Sequence, residues 1–498
     1  MPRSLPFLPF GSLGLGALLA LGLAPFHQAW LWVVVLSLYA THFADFTSKR
    51  RIFFLPVSFW HGYMFGGVYF LSSLYWIGLA PAVFSDDLRF LTPFASLGVS
   101  LIFACFWGLA SMLAAQIARG HQRHLRIIAL IGTLSFCEWL RGQAFSGFPW
   151  NMPVHILSDF AYLRQIIAIF GSYGSNVVVL FFCMVPALLW RASWRGRIIG
   201  GSISCMLFIG FLGFGVWRYQ KEPAFFDHGV RLVQRAIAQR QKWDINFRDQ
   251  NLSGHVVASI HNRPDWVNAV IWPEAASGFF LPNHPDLWGF VQAAAPKNGY
   301  LITGTLRFAP DRSQRNALMV FGKQGPHPVF YDKHHLVPFG EYIPFAYIFS
   351  QFKPLAGFRT GITAGPPPAP FHLPGLPAFL PLICYEIIFP ELAQTKADWI
   401  LNITNDAWFG TSTGPYQHAE IARMRAVETG SAVVRSANTG ISAIYDGYGN
   451  VIDQLGINVR GVIDAKLPRP ISVWRGQKFM LWLLLFLIFV ILVKNSVR

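Results

Sequence analysis

The sequence predicts two architectures in one chain: a multi-pass α-helical membrane domain of about eight spans, and an α/β sandwich held outside the membrane. Three observations carry this prediction. Of 498 residues, 53% are hydrophobic and only 13% charged, too apolar for one soluble domain. The apolar residues concentrate in long uncharged segments before residue 222 and again near the C-terminus. Between residues 223 and 475 they break instead into short runs mixed with acids, bases and prolines. The expected organisation is therefore 1–222 for the first seven spans, 223–475 for the sandwich, and 476–498 for a last span and tail.

The expected spans fall at 8–25, 29–44, 56–80, 92–118, 127–142, 163–190, 198–217 and 479–493. Lys and Arg gather at every second boundary: Arg3, Lys49 to Arg51, Arg119 to Arg126, Arg191 to Arg197, and Lys494 with Arg498. The intervening connections are poor in positive charge, since 26–28 and 143–162 hold none and 81–91 holds Asp86, Asp87 and a single arginine. Basic residues collect on the cytoplasmic side of short loops, so this alternation puts both termini in the cytoplasm and the sandwich outside. A signal peptide is the rival reading of 1–25, but Pro25 directly after Ala24 makes a poor cleavage site, and a retained helix is expected. The net charge of +16 raises nucleic acid as a partner, but no basic stripe with interleaved aromatics accompanies it. Basic loops beside anionic lipid explain the charge better.

In the sandwich, strand-like runs occur at Val230–Ile237, Ala269–Trp272, Tyr300–Leu306, Ala317–Phe321, Val329–Tyr331, Phe379–Cys384, Trp399–Ile403, Ala432–Val434 and Ile441–Tyr445. About 250 residues can bury a core of their own. The proline-rich stretch 364–378 reads as a surface loop near Cys384, either a lid or a plain connector.

Of five cysteines, Cys105, Cys137, Cys183 and Cys205 sit in expected spans as small apolar residues, and Cys384 alone lies in the sandwich. An unpaired thiol outside the cytoplasm is either buried and inert or kept for its reactivity. Cys384 ends one apolar run and precedes Tyr385-Glu386-Ile387-Ile388, a strand-to-helix elbow whose amides favour a thiolate. Glu274 and Lys333 also follow apolar runs, so three catalytic-type side chains would converge on one rim of the sheet. Each alone reads as a solvated loop residue.

These stretches resemble the bacterial apolipoprotein N-acyltransferases, whose soluble domain belongs to the nitrilase (carbon-nitrogen hydrolase) superfamily. The resemblance covers nearly the whole chain. It is carried by Trp272-Pro273-Glu274, the run Tyr331 to Tyr342, Ile383 to Glu386, Asn402 to Gly410, Gly414 to His418, Ile421 to Arg425, and Gly147-Phe148-Pro149-Trp150 in an outward loop. One departure stands at Val233-Gln234-Arg235-Ala236-Ile237-Ala238-Gln239, where the family reads Val-Gln-Gly-Asn-Ile-Pro-Gln. It bears on the backbone leading to Trp243, which matches a tryptophan the family needs and otherwise reads as a core aromatic.

The resemblance implies an αββα sandwich and a Glu274-Lys333-Cys384 triad on the outer face of a bacterial inner membrane. A phospholipid of the phosphatidylethanolamine type would donate an acyl chain, through a cysteine thioester in a ping-pong reaction. The acceptor would be the α-amino group of the S-diacylglyceryl cysteine of an apolipoprotein. Glu274 would be the general base, and Lys333 with the Tyr385 N–H would face the oxyanion. Glu341 would orient Lys333 or relay protons, Tyr385 and Glu386 would shape and support the pocket, and Asn316 would add a hydrogen bond. No cofactor and no metal are expected: adjacent His334 and His335 cannot easily share one ion. The protein is expected to be a monomer. A membrane-bound amidase would keep the triad and pass the acyl group to water. A transporter or receptor would need paired charges inside its spans, where Glu138 is the main ionisable residue.

Overall fold

The computed structural model describes residues 10–46, 50–219, 223–322, 325–344 and 361–473; the expected last span at 479–493 lies outside the described residues. Among the described residues the chain divides into two compact units, 10–219 together with 412–420, and 223–411 together with 421–472.

The first unit is helical: α1 (Phe10–Leu18), α2 (Trp30–Asp45), α3 (Val57–Leu74), α4 (Leu79–Phe84), α5 (Thr92–Ile117), α6 (Arg123–Gln143), α7 (Ile167–Leu189) and α8 (Trp194–Tyr219). Every expected span before residue 222 meets a helix. Four stretches among the described residues are long and apolar enough to cross a membrane: Val57–Val83, Asp86–Ile117, Leu163–Leu189 and Trp194–Tyr219. The first two expected spans are shorter helices, of 9 and 16 residues. The fifth, α6, carries Arg123, Arg126, Glu138 and Arg141. Glu138 is thus not alone, because Arg141 one turn on closes an ion pair with it. α3 packs closely on α5 because Gly62 and Gly66 present no Cβ to Trp107.

The second unit holds two six-stranded sheets. In chain order, one sheet contains β3 (Phe225–Gln234), β4 (Val267–Ile271), β5 (Tyr300–Phe308), β6 (Gln314–Gly322), β7 (Gly325–Asp332) and finally β14 (Gly461–Pro468). Its spatial order is β14-β3-β4-β5-β6-β7. The other contains β8 (Phe371–Leu373), β9 (Leu376–Ile383), β10 (Trp399–Thr404), β11 (Ala432–Ala437), β12 (Ser442–Tyr445) and β13 (Val451–Leu455), paired in sequence order. The labels β1 and β2 belong to a short hairpin, Arg51–Ile52 with Leu55–Pro56, in the helical unit.

The sheets face one another across a core that includes Val230, Ile271, Ile302 and Val320 from one and Phe379, Trp399, Ile403 and Ile444 from the other. Further along the chain come α9 (Gln239–Trp243), α10 (Arg248–Ile260), α11 (Trp288–Gln292) and α12 (Gly414–Thr429). Leu252 and Val256 of α10 and Val291 of α11 cover the outer face of the first sheet, on Val233, Trp272 and Met319. β10 and β11 are parallel neighbours joined through α12, so that helix must cross on the free face of the second sheet. This is the expected layer order.

The nine expected strands are present, with shifted ends. Residues 235–237 and Cys384 fall just beyond their strands. β8, β13 and β14 were not expected: β13 is largely exposed and lacks an apolar alternation. The stretch 364–378 is corrected most. It is no free loop, because it holds β8 and the turn into β9, and the Gly365 N–H donates to the Lys333 carbonyl at 2.8 Å.

Candidate active site

Glu274 follows β4 by three residues, Lys333 follows β7 directly, and Cys384 follows β9 directly. β4 and β5 are parallel, and two antiparallel steps through β6 make β7 run with them, so the C-terminal ends of β4 and β7 share a rim. Cys384 comes from the other sheet. The sequence reading put all three on one sheet; the structure divides them between two, because a sandwich offers two sets of strand ends.

The side chains form one buried cluster. The Lys333 ammonium lies 2.9 Å from Glu341 Oε2 and 3.6 Å from Glu274 Oε1. Asn316 Nδ2 bridges the two carboxylates, donating to Glu274 Oε1 at 2.7 Å and Glu341 Oε1 at 3.0 Å. Asn316 is thus more central than its sequence context suggested. Burial alone would push Lys333 down, but Glu341 and Glu274 beside it outweigh burial and raise it, so it stays a cation.

Cys384 opens a five-residue 3₁₀ turn, Cys384–Ile388, with its backbone in the left-handed region at φ 53°. Such a strained residue at a strand's end is held by its surroundings and presents its side chain at the rim. The holding groups are identifiable. Asn402 Nδ2 donates to the carbonyls of Leu382 at 3.1 Å and Cys384 at 3.3 Å. Asn402 is oriented by Arg435 at 2.5 Å, and Arg435 is paired with Asp406 at 2.6 Å. The expectation that helix amides favour a thiolate is overturned. Burial first, then Glu274, push the thiol up to about 12, against the pull of Lys333 and a hydrogen bond with Thr404. One short 3₁₀ turn has too few aligned peptides to compete with burial. The Cys384 thiol therefore rests neutral.

Glu386 ties the two strand ends together. Its Oε1 accepts from Tyr331 Oη at 2.8 Å and from the N–H groups of His334 at 2.8 Å and His335 at 2.9 Å. Its Oε2 accepts from the Ile383 N–H at 2.6 Å. One buried carboxylate therefore fixes the loop carrying Lys333 against the elbow carrying Cys384. Tyr385 packs with His335 and Phe389, at ring distances of 5.7 and 5.0 Å. His334 Nδ1 meets the Gly365 carbonyl at 2.9 Å. Among the described residues no group of three or more His, Cys, Asp or Glu is placed to hold a metal ion.

Trp243 is 42% exposed, so it is no core aromatic, whereas Lys242 is 0% exposed beside Glu274. Trp150 belongs to the helical unit. Its Nε1 donates to Gln417 Oε1 at 3.0 Å, as do Trp76 Nε1 and Asn151 Nδ2 at 3.1 Å each. The departure at 235–238 is absorbed locally. The Arg235 guanidinium lies over Gly254, and Asn438 exchanges side-chain hydrogen bonds with the N–H and carbonyl of Ile237 at 3.0 and 2.7 Å.

Sequence reasoning missed Lys242, Asn402, Arg435 and Gln417. Asn402 and Gln417 stood inside stretches already singled out, which was the available signal; Lys242 had only its place beside Trp243.

A carbon-nitrogen hydrolase profile matches residues 229–475, and an apolipoprotein N-acyltransferase N-terminal domain profile matches residues 15–185. The apolipoprotein N-acyltransferase of Bradyrhizobium diazoefficiens is 36% identical over 482 residues, covering 92% of this chain and 88% of its own. That of Rhodopseudomonas palustris is 34% identical over 478 residues, covering 92% and 89%. Among solved structures, an amidase from Nesterenkonia sp. covers 49% of this chain and 92% of its own, at 16% identity and a TM-score of 0.37.

Proposed function

Since this chain belongs to the apolipoprotein N-acyltransferase family and is an N-acyltransferase, we propose that its acyl group passes through a Cys384 thioester. The donor is a phospholipid of the phosphatidylethanolamine type. The acceptor is the α-amino group of the S-diacylglyceryl cysteine at a lipoprotein's N-terminus. The observation that carries this reading is a protonated, buried thiol beside a carboxylate, Glu274, that lies 3.6 Å from a persistent cation.

Glu274 takes the Cys384 proton as sulfur attacks the ester carbonyl, and Lys333 with the Tyr385 N–H meets the oxyanion. Collapse breaks the ester bond. The leaving alkoxide of the lysophospholipid takes the proton from Glu274, and the thioester remains. The amine then attacks the thioester while Glu274 accepts its proton. Sulfur departs and is reprotonated, giving the amide and the free thiol. Glu341 and Asn316 orient Lys333 and Glu274, Glu386 and Tyr385 hold the elbow, exposed Trp243 serves substrate entry, and buried Trp150 supports its own loop through Gln417.

The charge alternation supports eight spans, both termini in the cytoplasm and the sandwich outside, with limits 1–222, 223–475 and 476–498. That orientation puts the site beside lipid-anchored substrates and away from competing water. The protein acts as a monomer without a cofactor.

Intact-mass analysis after incubation with phosphatidylethanolamine tests the reading. A hydroxylamine-labile acyl mass is expected on wild type, absent from Cys384→Ala and strongly reduced on Glu274→Gln, and chased onto a diacylated lipopeptide. An adduct discharged only to water would favour the amidase; no adduct on folded wild type would sink the thioester.

A further inference from the structure

Glu274 and Glu341 share Lys333, at 3.6 and 2.9 Å. Asn316 Nδ2 bridges the two carboxylates, and the Val337 N–H donates to Glu341 Oε2 at 2.8 Å, so neutral donors supplement the one shared cation. The neighbouring acids Glu386 and Asp406 are engaged elsewhere, by Tyr331 with three N–H groups and by Arg435.

The second cation of the cluster is Lys242. Its side chain is wholly buried, and among the described residues its ammonium has one hydrogen-bond partner, the main-chain carbonyl of Glu274 at 3.3 Å. Two of its three N–H bonds are unspent. α9 reaches this position because Gly278 lacks a Cβ, which lets the Lys242 carbonyl rest against the segment following Glu274. The peptide it holds is strained, for Ala275 has φ 43°. The titratable groups that interact with Lys242 are Glu274, Cys384 and His255. Burial pushes Lys242 down to about 8, and Glu274 and Cys384 pull it back. His255 is itself held down to about 3, chiefly by burial, and adds no charge.

We propose that Lys242 is a positioning residue for the acyl transfer. It holds the Glu274 segment through its carbonyl and sets a second cation beside two carboxylates, one of which takes the Cys384 proton. The inference rests on the reaction read above. When that proton moves, one carboxylate charge is lost and one oxyanion gained, so the balance holds through the step.

The test is single-turnover thioester formation from phosphatidylethanolamine in detergent, followed by rapid quench and intact mass between about pH 5 and pH 9. This half-reaction leaves out the acceptor amine, which titrates in the same range. Lys242→Met is expected to acylate about tenfold or more slowly at neutral pH, with the acid side of its curve moved up by about one unit. The wild-type rate falls toward that of the methionine variant above about pH 8. Lys242→Arg, whose cation does not titrate there, keeps its rate. A methionine variant with the wild-type rate and curve overturns the proposal; so does an arginine variant that falls at the wild-type midpoint. Thermal unfolding of each variant shows which of the two is folded and carries the decision. No thioester on wild type at any pH, with Cys384→Ala run beside it, overturns the reaction itself.

Discussion

In the helical unit Glu138 meets Arg141 one to one, whereas in the sandwich Lys333 is shared by Glu274 and Glu341. Both carboxylate oxygens of Glu138 are filled, by Arg141 and by Trp107 Nε1 at 2.8 Å. Arg141 also donates to the Phe148 carbonyl and lies 5.2 and 5.7 Å from the rings of Phe70 and Phe103. That pair locks the Gly147-Phe148-Pro149-Trp150 turn. The sandwich cluster leaves its charges shared and two Lys242 donors unspent. Closed pairing fixes a backbone; open pairing keeps a proton transferable.

The largest effect that bears on this contrast is expected at Glu138. Glu138→Gln leaves Arg141 buried without its counter-charge and should cost about 3–5 kcal/mol. It should lower the thermal midpoint in detergent while thioester formation per folded molecule stays unchanged. A slower reaction with no loss of stability would break the contrast.

An intermediate effect comes from His255, which burial holds down to about 3. The unfolded chain takes up this proton near pH 6.5 and the folded chain does not. Stability present above that pH is therefore lost as pH falls toward 3, by on the order of a few kcal/mol. His255→Phe keeps a ring against Trp272, 5.0 Å away, and should flatten that slope in pH-dependent unfolding. A slope identical to wild type would mean the acid sensitivity lies elsewhere.

The smallest effect is expected at Ala236, in the departure from the family pattern, where φ is 49°. Ala236→Gly should stabilise by about 0.5–1 kcal/mol, because alanine pays a left-handed penalty that exceeds the entropic cost of glycine. A lower thermal midpoint would show that the Ala236 methyl contributes packing.

The elbow at Cys384 and the positions of Glu274 and Lys333 were legible because each follows an apolar run, and a strand's end is a local property. The strand limits were less so, since β13 and β14 are settled by pairing rather than by composition. The thiol's state was read the wrong way, because sequence shows the elbow and not the burial around it.

From the sequence alone came the two architectures, the alternating basic loops and three candidate residues, Glu274, Lys333 and Cys384, each at the end of an apolar run and joined as a triad by the family resemblance. Only the tertiary structure decided that Glu274 and Lys333 come from one sheet and Cys384 from the other. It also decided that Glu386 clamps their loops and that Lys242 rather than Trp243 enters the core. Two adjacent residues on a five-residue helix carry no period that says which faces inward; the docking of α9 beside Gly278 makes that choice.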